Sequence, residues 1–172
     1  MNRGRRVLTE RELRWAALPQ LFWSVSINNI TSPQYRKLIG WLVETLELFP
    51  NQWLVWYLYS PDMVSLKEAL SVACREFLRR SHSVFWLDEQ YLDKLDEPID
   101  NETTFIDRAA AVEYLFVFKD ALSDSKQLLQ LLQNRCYNNK VSILIGDALV
   151  AREVLAVDLS IPVEKILALT IK

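Results

Sequence analysis

Four short runs constrain this chain most: WLVWYLY at 53–59, SVFWL at 83–87, VEYLFVF at 112–118 and VSILI at 141–145. Each is nearly all apolar, so a strand made from it must be covered on both faces. None is long enough for a good buried helix. Between the runs, apolar residues recur at helical spacing. Leu66, Leu70, Ala73, Cys74, Phe77 and Leu78 share a face over 65–80, and Leu128, Leu129, Leu131, Leu132 and Cys136 share one over 124–137. Short apolar strands alternating with helices predict a parallel sheet between helical layers. With a last strand over 165–171, the prediction is a three-layer α/β/α sandwich around a five-stranded, mainly parallel sheet.

The remaining segments carry start and stop signals. Thr9 and Glu12 form a capping-box pattern that opens a helix with Leu13, Ala16 and Ala17 on one face, and Pro19 ends or kinks it. Pro33 suits the first turn of the next helix, whose inward face reads Leu38, Trp41, Leu42, Thr45 and Leu46. Pro50-Asn51 stops it. A short helix or turn fits 88–95, an acidic loop 96–104 and a short helix 148–157. This divides the chain into an N-terminal helical segment, 1–26, docking on the core or on a partner, and one α/β domain, 27–172. Trp41, Trp53, Trp56 and Trp86 read as core. Trp15, Leu18, Phe22 and Trp23 give the first segment more apolar surface than one helix edge needs, which makes them candidate partner contacts.

With 172 residues, 51% of them apolar and 24% charged, the chain can bury one sizeable core. A net charge of -2 gives no overall pull toward nucleic acid or anionic membrane. Arg3, Arg5 and Arg6 are the basic cluster and the candidate nucleic-acid contacts. Cys74 and Cys136 read as buried thiols of a reducing compartment. His82, the single histidine, stands in a polar connection and suggests no metal site. Charged residues follow the first arginines where a leader would need an apolar core, and no apolar run approaches the ~20 residues of a membrane helix. The expected location is the cytoplasm.

In parallel α/β sheets ligands sit beyond the carboxyl ends of the strands. Here those ends are Tyr59-Ser60-Pro61-Asp62, Leu87-Asp88-Glu89, Phe118-Lys119-Asp120 and Ile145-Gly146-Asp147. The order and texture from 27 to 147 resemble the P-loop ATPase core of bacterial replicative-helicase loaders. Replication initiator ATPases and the ATP-binding proteins of insertion sequences, all of the AAA+ class, share it. The resemblance implies a P-loop NTPase-like fold, with Ile27-Asn28-Asn29-Ile30 preceding the first strand. It places a phosphate loop on Ser60 to Lys67, a Walker B strand at 114–118 and a sensor-1 position on Asp147.

The residues at those positions depart from the family pattern. A phosphate loop needs glycines, because its amides must turn inward with no side chain in the way. The chain has three, Gly4, Gly40 and Gly146, none in the loop. The glycine positions carry Ser60 and Ser65. Leu66 stands at the lysine position, and Lys67 stands where a magnesium-binding hydroxyl belongs. Lys119 occupies a Walker B acid position, leaving Asp120. Asp147 adds negative charge near a γ-phosphate. The stretch after sensor 1 is too short for the family's helical lid.

The resulting expectation is a non-catalytic ATPase-like module with no cofactor. It would bind a protein partner in DNA replication, recombination or transposition. DNA is a further possible partner, a homo-oligomer is open and no membrane is involved. Two alternatives stand beside it. Asp88, Asp120 and Asp147 could form an acidic, metal-dependent phosphoryl-transfer or receiver-like site. Alternatively, Arg3, Arg5, Arg6, Arg11, Arg14 and nearby aromatics could make a nucleic-acid-binding accessory.

Overall fold

The computed structural model describes residues 6–118 and 125–171. Five parallel strands form its sheet: β1 (Val55–Tyr59), β2 (Val84–Leu87), β3 (Tyr114–Phe118), β4 (Val141–Gly146) and β5 (Ile166–Thr170). Their spatial order is β2-β3-β4-β1-β5, and every neighbouring pair is parallel. The helices are α1 (Glu10–Trp15), α2 (Pro33–Leu48), α3 (Met63–Arg79), α4 (Glu89–Leu92), α5 (Phe105–Ala111), α6 (Lys126–Tyr137) and α7 (Arg152–Leu159). Short 3₁₀ turns lie at Gln20–Phe22, Ile27–Asn29 and Val163–Lys165. No helix among the described residues is long and apolar enough to cross a membrane.

Because side chains alternate along a strand, each apolar run feeds two cores. Trp56, Leu58, Trp86, Phe116, Phe118 and Ile143 pack toward α2, α3 and the N-terminal segment. Val55, Tyr57, Phe85, Leu115, Val117 and Leu144 pack toward α5, α6 and α7. Trp86 is fully buried between Phe118, at a 4.1 Å ring separation, and Phe22, at 5.7 Å.

The N-terminal segment seals the sheet on the β2 side. The Trp86 amide donates to the Ala16 carbonyl at 2.8 Å, so the outward edge of β2 is partly paired. Ala17 turns the chain at φ 54° one residue later, ending α1 before Pro19 is reached. The Arg75 guanidinium donates to the Trp23 carbonyl at 2.6 Å.

Three sequence expectations change. Strands begin up to two residues later than the apolar runs, at Val55 and Tyr114. Residues 105–111 form a helix that the sequence reading left without assignment, opened by a Thr104/Asp107 capping box. The acidic loop before it is folded. Asp100 accepts from the amides of Glu102 and Thr103 and from the Thr103 hydroxyl, and pairs with Arg108 at 3.1 Å.

Arg135 ties the amino ends of the strands together. Its side chain is buried, with 1% of the residue exposed. Nε donates to Ser142 Oγ at 2.9 Å. Nη1 donates to the carbonyls of Ala109 and Val112 at 2.5 and 2.9 Å, and Nη2 to those of Glu113 and Val141 at 3.1 and 2.6 Å. Burial lowers its pKa to about 9, which leaves it charged at pH 7. Lys140 Nζ takes the Ala110 and Ala111 carbonyls at 2.8 and 2.7 Å. Both cations sit at the C-terminus of α5, where the helix dipole favours them.

Replacing Arg135 by Met orphans these buried carbonyls, each worth ~1–3 kcal/mol when left unpaired. Arg135→Met is therefore expected to lower urea-unfolding stability by about 3 kcal/mol or more, and a loss below about 1 kcal/mol would show the clamp to be dispensable. Acid should destabilise the fold as well. The Thr9 amide, the Ser65, Thr103 and Thr104 hydroxyls and further amides hold Glu12, Asp62, Asp100 and Asp107 below the usual carboxylate range. With folded values below unfolded ones, this stability is complete above pH ~4.5 and is lost as pH falls through the folded pKa values. Urea midpoints measured between pH 7 and 3 should fall below pH ~4.5, and Thr104→Ala should flatten that fall.

Candidate functional site

The candidate site lies at the carboxyl ends of β1, β3 and β4, where sheet order reverses between chain neighbours. Its centre is the connection from β1 to α3. Only Ser60, Pro61 and Asp62 separate Tyr59 from Met63, the first helical residue. The segment that a phosphate loop would arch around its ligand is already helix here.

The amides of Asp62, Val64 and Ser65 are engaged within the turn itself. Pro61 has no N–H. The Asp62 amide donates to Ser60 Oγ at 3.2 Å, and the Asp62 carboxylate caps α3 by accepting from the Ser65 amide at 3.0 Å. The amide of Val64 also lowers the Asp62 pKa, after the Ser65 hydroxyl and amide. From α2, the Tyr35 hydroxyl hydrogen-bonds Ser60 Oγ at 2.6 Å and donates to the Asp62 carbonyl at 3.3 Å. Ser60 is buried by these contacts. The turn contains no residue at positive φ. Leu66 is fully buried in the core between the sheet and α2/α3.

Lys67 crosses to the neighbouring strand tips. Its Nζ lies 3.7 Å from Asp88 Oδ1 and 5.2 Å from the centre of the Phe118 ring. Asp88 also caps the short helix α4 through the Glu89 amide. The third tip is closed by a phenol. Tyr57 donates to the Ala148 carbonyl at 2.7 Å, and a Cβ at Gly146 would lie 2.0 Å from the Tyr57 hydroxyl. Gly146 is therefore required by packing against Tyr57. Asp147 is exposed next to it, and its charge, after burial, raises the Tyr57 pKa. Lys119 and Asp120 lie outside the described residues.

Of the three acidic tips Asp120 lies outside the described residues, and the other two stand on strands that are not neighbours. Asp88 follows β2 and Asp147 follows β4, with β3 between them. At ~4.8 Å per strand their backbones are about 10 Å apart. Among the described residues no group of three or more His, Cys, Asp or Glu could hold a metal ion.

The N-terminal candidates separate. Leu18 and Phe22 are buried in the core, at 3% and 7% exposure, so they are docking residues of the chain itself; this corrects their reading as partner contacts. Trp23 is half-buried, donating its indole N–H to the Leu18 carbonyl at 2.8 Å. Trp15 is 42% exposed beneath the Arg108 guanidinium, 4.9 Å from its ring centre. Arg6 is occupied by the Leu78 carbonyl at 2.6 Å and by Glu12, while Arg3 and Arg5 lie outside the described residues. Trp41, expected in the core, is 40% exposed on the shoulder of α2, with its ring against Trp56 at 5.2 Å. It lines an apolar groove of about 480 Å³ with Leu38, Leu169 and Ile171, beside edge strand β5. His82 has carboxylate neighbours that its local sequence did not reveal. Nδ1 is 3.2 Å from Glu113, and Nε2 is 3.8 Å from Glu47.

No family model and no curated protein matches the chain. Solved structures do match its fold. A putative primosome component from Streptococcus pyogenes serotype M3 aligns with a TM-score of 0.65 at 14% identity, covering 96% of this chain and 97% of that one. DnaI aligns at 0.63 and 16% identity, covering 92% and 97%. AMPPCP-bound DnaA from Aquifex aeolicus aligns at 0.61 and 16% identity, covering 86% of this chain and 49% of that one. The chain thus spans about half the length of that DnaA structure. At these identities the likeness is one of fold: the chain shares the α/β fold of the DnaA, DnaI and primosome-component structures.

Proposed function

We propose that this chain is a non-catalytic module on an AAA+ core, acting by binding a protein partner in DNA replication, recombination or transposition. The connection from β1 to α3 carries the reading. The residues present do not fit a nucleoside triphosphate. The turn has no glycine, the amides of Asp62, Val64 and Ser65 serve the turn's own Ser60 and Asp62, and Leu66 fills the core where a phosphate-reaching lysine belongs. Lys67 is directed to Asp88 and Phe118. The carboxylate of Asp62 at the start of α3 takes the dipole position that an anionic phosphate would need.

The replication setting rests on the fold neighbours: a DnaA, a DnaI and a primosome component. One of the matching DnaA structures is bound to AMPPCP and single-stranded DNA. The described surface of this chain supports a protein partner over DNA. Arg6 is engaged by Leu78 and Glu12, Arg14 pairs with Glu10 at 3.7 Å, and the net charge is -2.

Thermal melting with ATP and magnesium tests the proposal. A site of ~10 µM affinity would add about 2.7 kcal/mol at ~1 mM ATP, a rise of several degrees in a chain of this size. The expected result is an unchanged melting temperature and no magnesium-dependent hydrolysis. A rise of that size, or turnover, overturns the reading.

A further inference from the structure

We infer that the solvent face of α2 is a two-fold interface between copies of this chain. Gly40 stands in the middle of a 16-residue helix, a position where glycine weakens the helix relative to any ordinary residue. Nothing in the chain requires it: a Cβ added there meets no atom within 4 Å. Beside it Trp41 is 40% exposed, with its ring already held against Trp56. The same helix ends in two exposed apolar side chains, Leu48 at 70% and Phe49 at 54%. Lys37 and Glu44 flank the glycine, one turn to either side. Both are exposed, and neither enters an ion pair among the described residues.

These positions are complementary to themselves. Lay a second α2 antiparallel across the first, with the two-fold axis between Gly40 and Trp41. Each Trp41 then faces the other helix's Gly40, each Lys37 faces Glu44, and Leu48 faces Pro33. A two-fold interface requires this reciprocity, in which one patch meets its own copy. The missing side chain at Gly40 is the hole that the indole needs, at an interaxial distance of about 8–10 Å. Opposite charges arranged in this order favour the antiparallel register and oppose the parallel one, which sets Lys37 against Lys37. The occupant is therefore a second copy. The inference is independent of whether nucleotide binds, since α2's outer face lies away from the turn between β1 and α3.

Sedimentation of the full chain at tens of micromolar tests it. The expected mass is twice 20.1 kDa. Gly40→Gln has room in the single chain, so it should leave the melting temperature of the monomer unharmed while abolishing the dimer. Lys37→Glu and Glu44→Lys should each weaken association about tenfold at low salt, and the double swap should restore it to within about threefold. A wild-type chain that stays at 20.1 kDa overturns the inference. So does a dimer that ignores Gly40→Gln or the charge reversals.

Discussion

One guanidinium organises the amino end of the sheet. The end of α5, the entry to β3 and the entry to β4 all leave carbonyl groups pointing into the same buried volume, and each of those groups needs a donor. Arg135 brings five N–H bonds in a fixed planar fork and uses them on Ser142 and on the carbonyls of Ala109, Val112, Glu113 and Val141. Among the described residues no carboxylate pairs with it. Its charge is met by carbonyl dipoles and by the negative end of α5, where Lys140 adds a second cation. A lysine in place of Arg135 could not span this set, because its three donors radiate from one point. The position of α5, and with it the cover over Phe85, Leu115 and Val117, follows from a residue some two dozen positions later in the chain.

The carboxyl end is held differently. There the described contacts are single hydrogen bonds of neutral or acidic groups: Tyr35 on Ser60, Asp62 on the first turn of α3, Tyr57 on Ala148. Among the described residues Lys67 brings a cation to this end, and Asp88 takes it. The contrast bears on function. A nucleotide site needs concentrated positive charge and free amides at this end, and among the described residues the buried cation Arg135 serves the opposite end of the same strands; the proposal of a non-catalytic module rests on that contrast.

Much of this architecture was legible from the sequence. Alternation of the runs at 53–59, 83–87, 112–118 and 141–145 with helical spacing yields a parallel sheet because strands covered on both faces must be apolar throughout. The Thr9 capping box and Pro33 marked helix starts that the structure contains. Other features depend on distant contacts that no local pattern carries. Helix α5 is only seven residues long, with Ala109 its single buried residue, so its periodicity is too weak to read. Leu18 and Phe22 looked like excess surface because their burial depends on distant parts of the core, for Phe22 on Trp86, more than sixty residues away. Trp41 shows the reverse error. Its place in an apolar helical repeat suggested the core, yet it lies at the edge of that face and keeps 40% of its surface in solvent. Within the candidate site, the absence of glycine was plain, while the shortness of the turn required the structure. The helical pattern is legible from Ser65, with Leu66 on its inward face, although the resemblance sets both in a phosphate loop; the helix starts two residues earlier still, at Met63.

That last difference couples the site to the core. A lysine that reaches a bound phosphate must leave the protein interior, and a leucine that fills the core must enter it; one position cannot serve both. In this chain Leu66 enters, packed in the same cluster as Leu42, Leu70 and Ile145. The helix starts at Met63, three residues before it, and the turn is three residues long. Asp62 then becomes the cap, and its carboxylate takes the amides that would face an anion. The serine, the aspartate and the leucine are thus parts of one packing solution. Reintroducing lysine at 66 would bury a charge with no partner, and removing Asp62 alone would leave the helix start uncapped without lengthening the turn. Tyr35, reaching from α2 to Ser60, fastens the same solution from outside the loop. The sheet loses nothing by it, because its strands draw their stability from both cores and from the Arg135 end, remote from this turn.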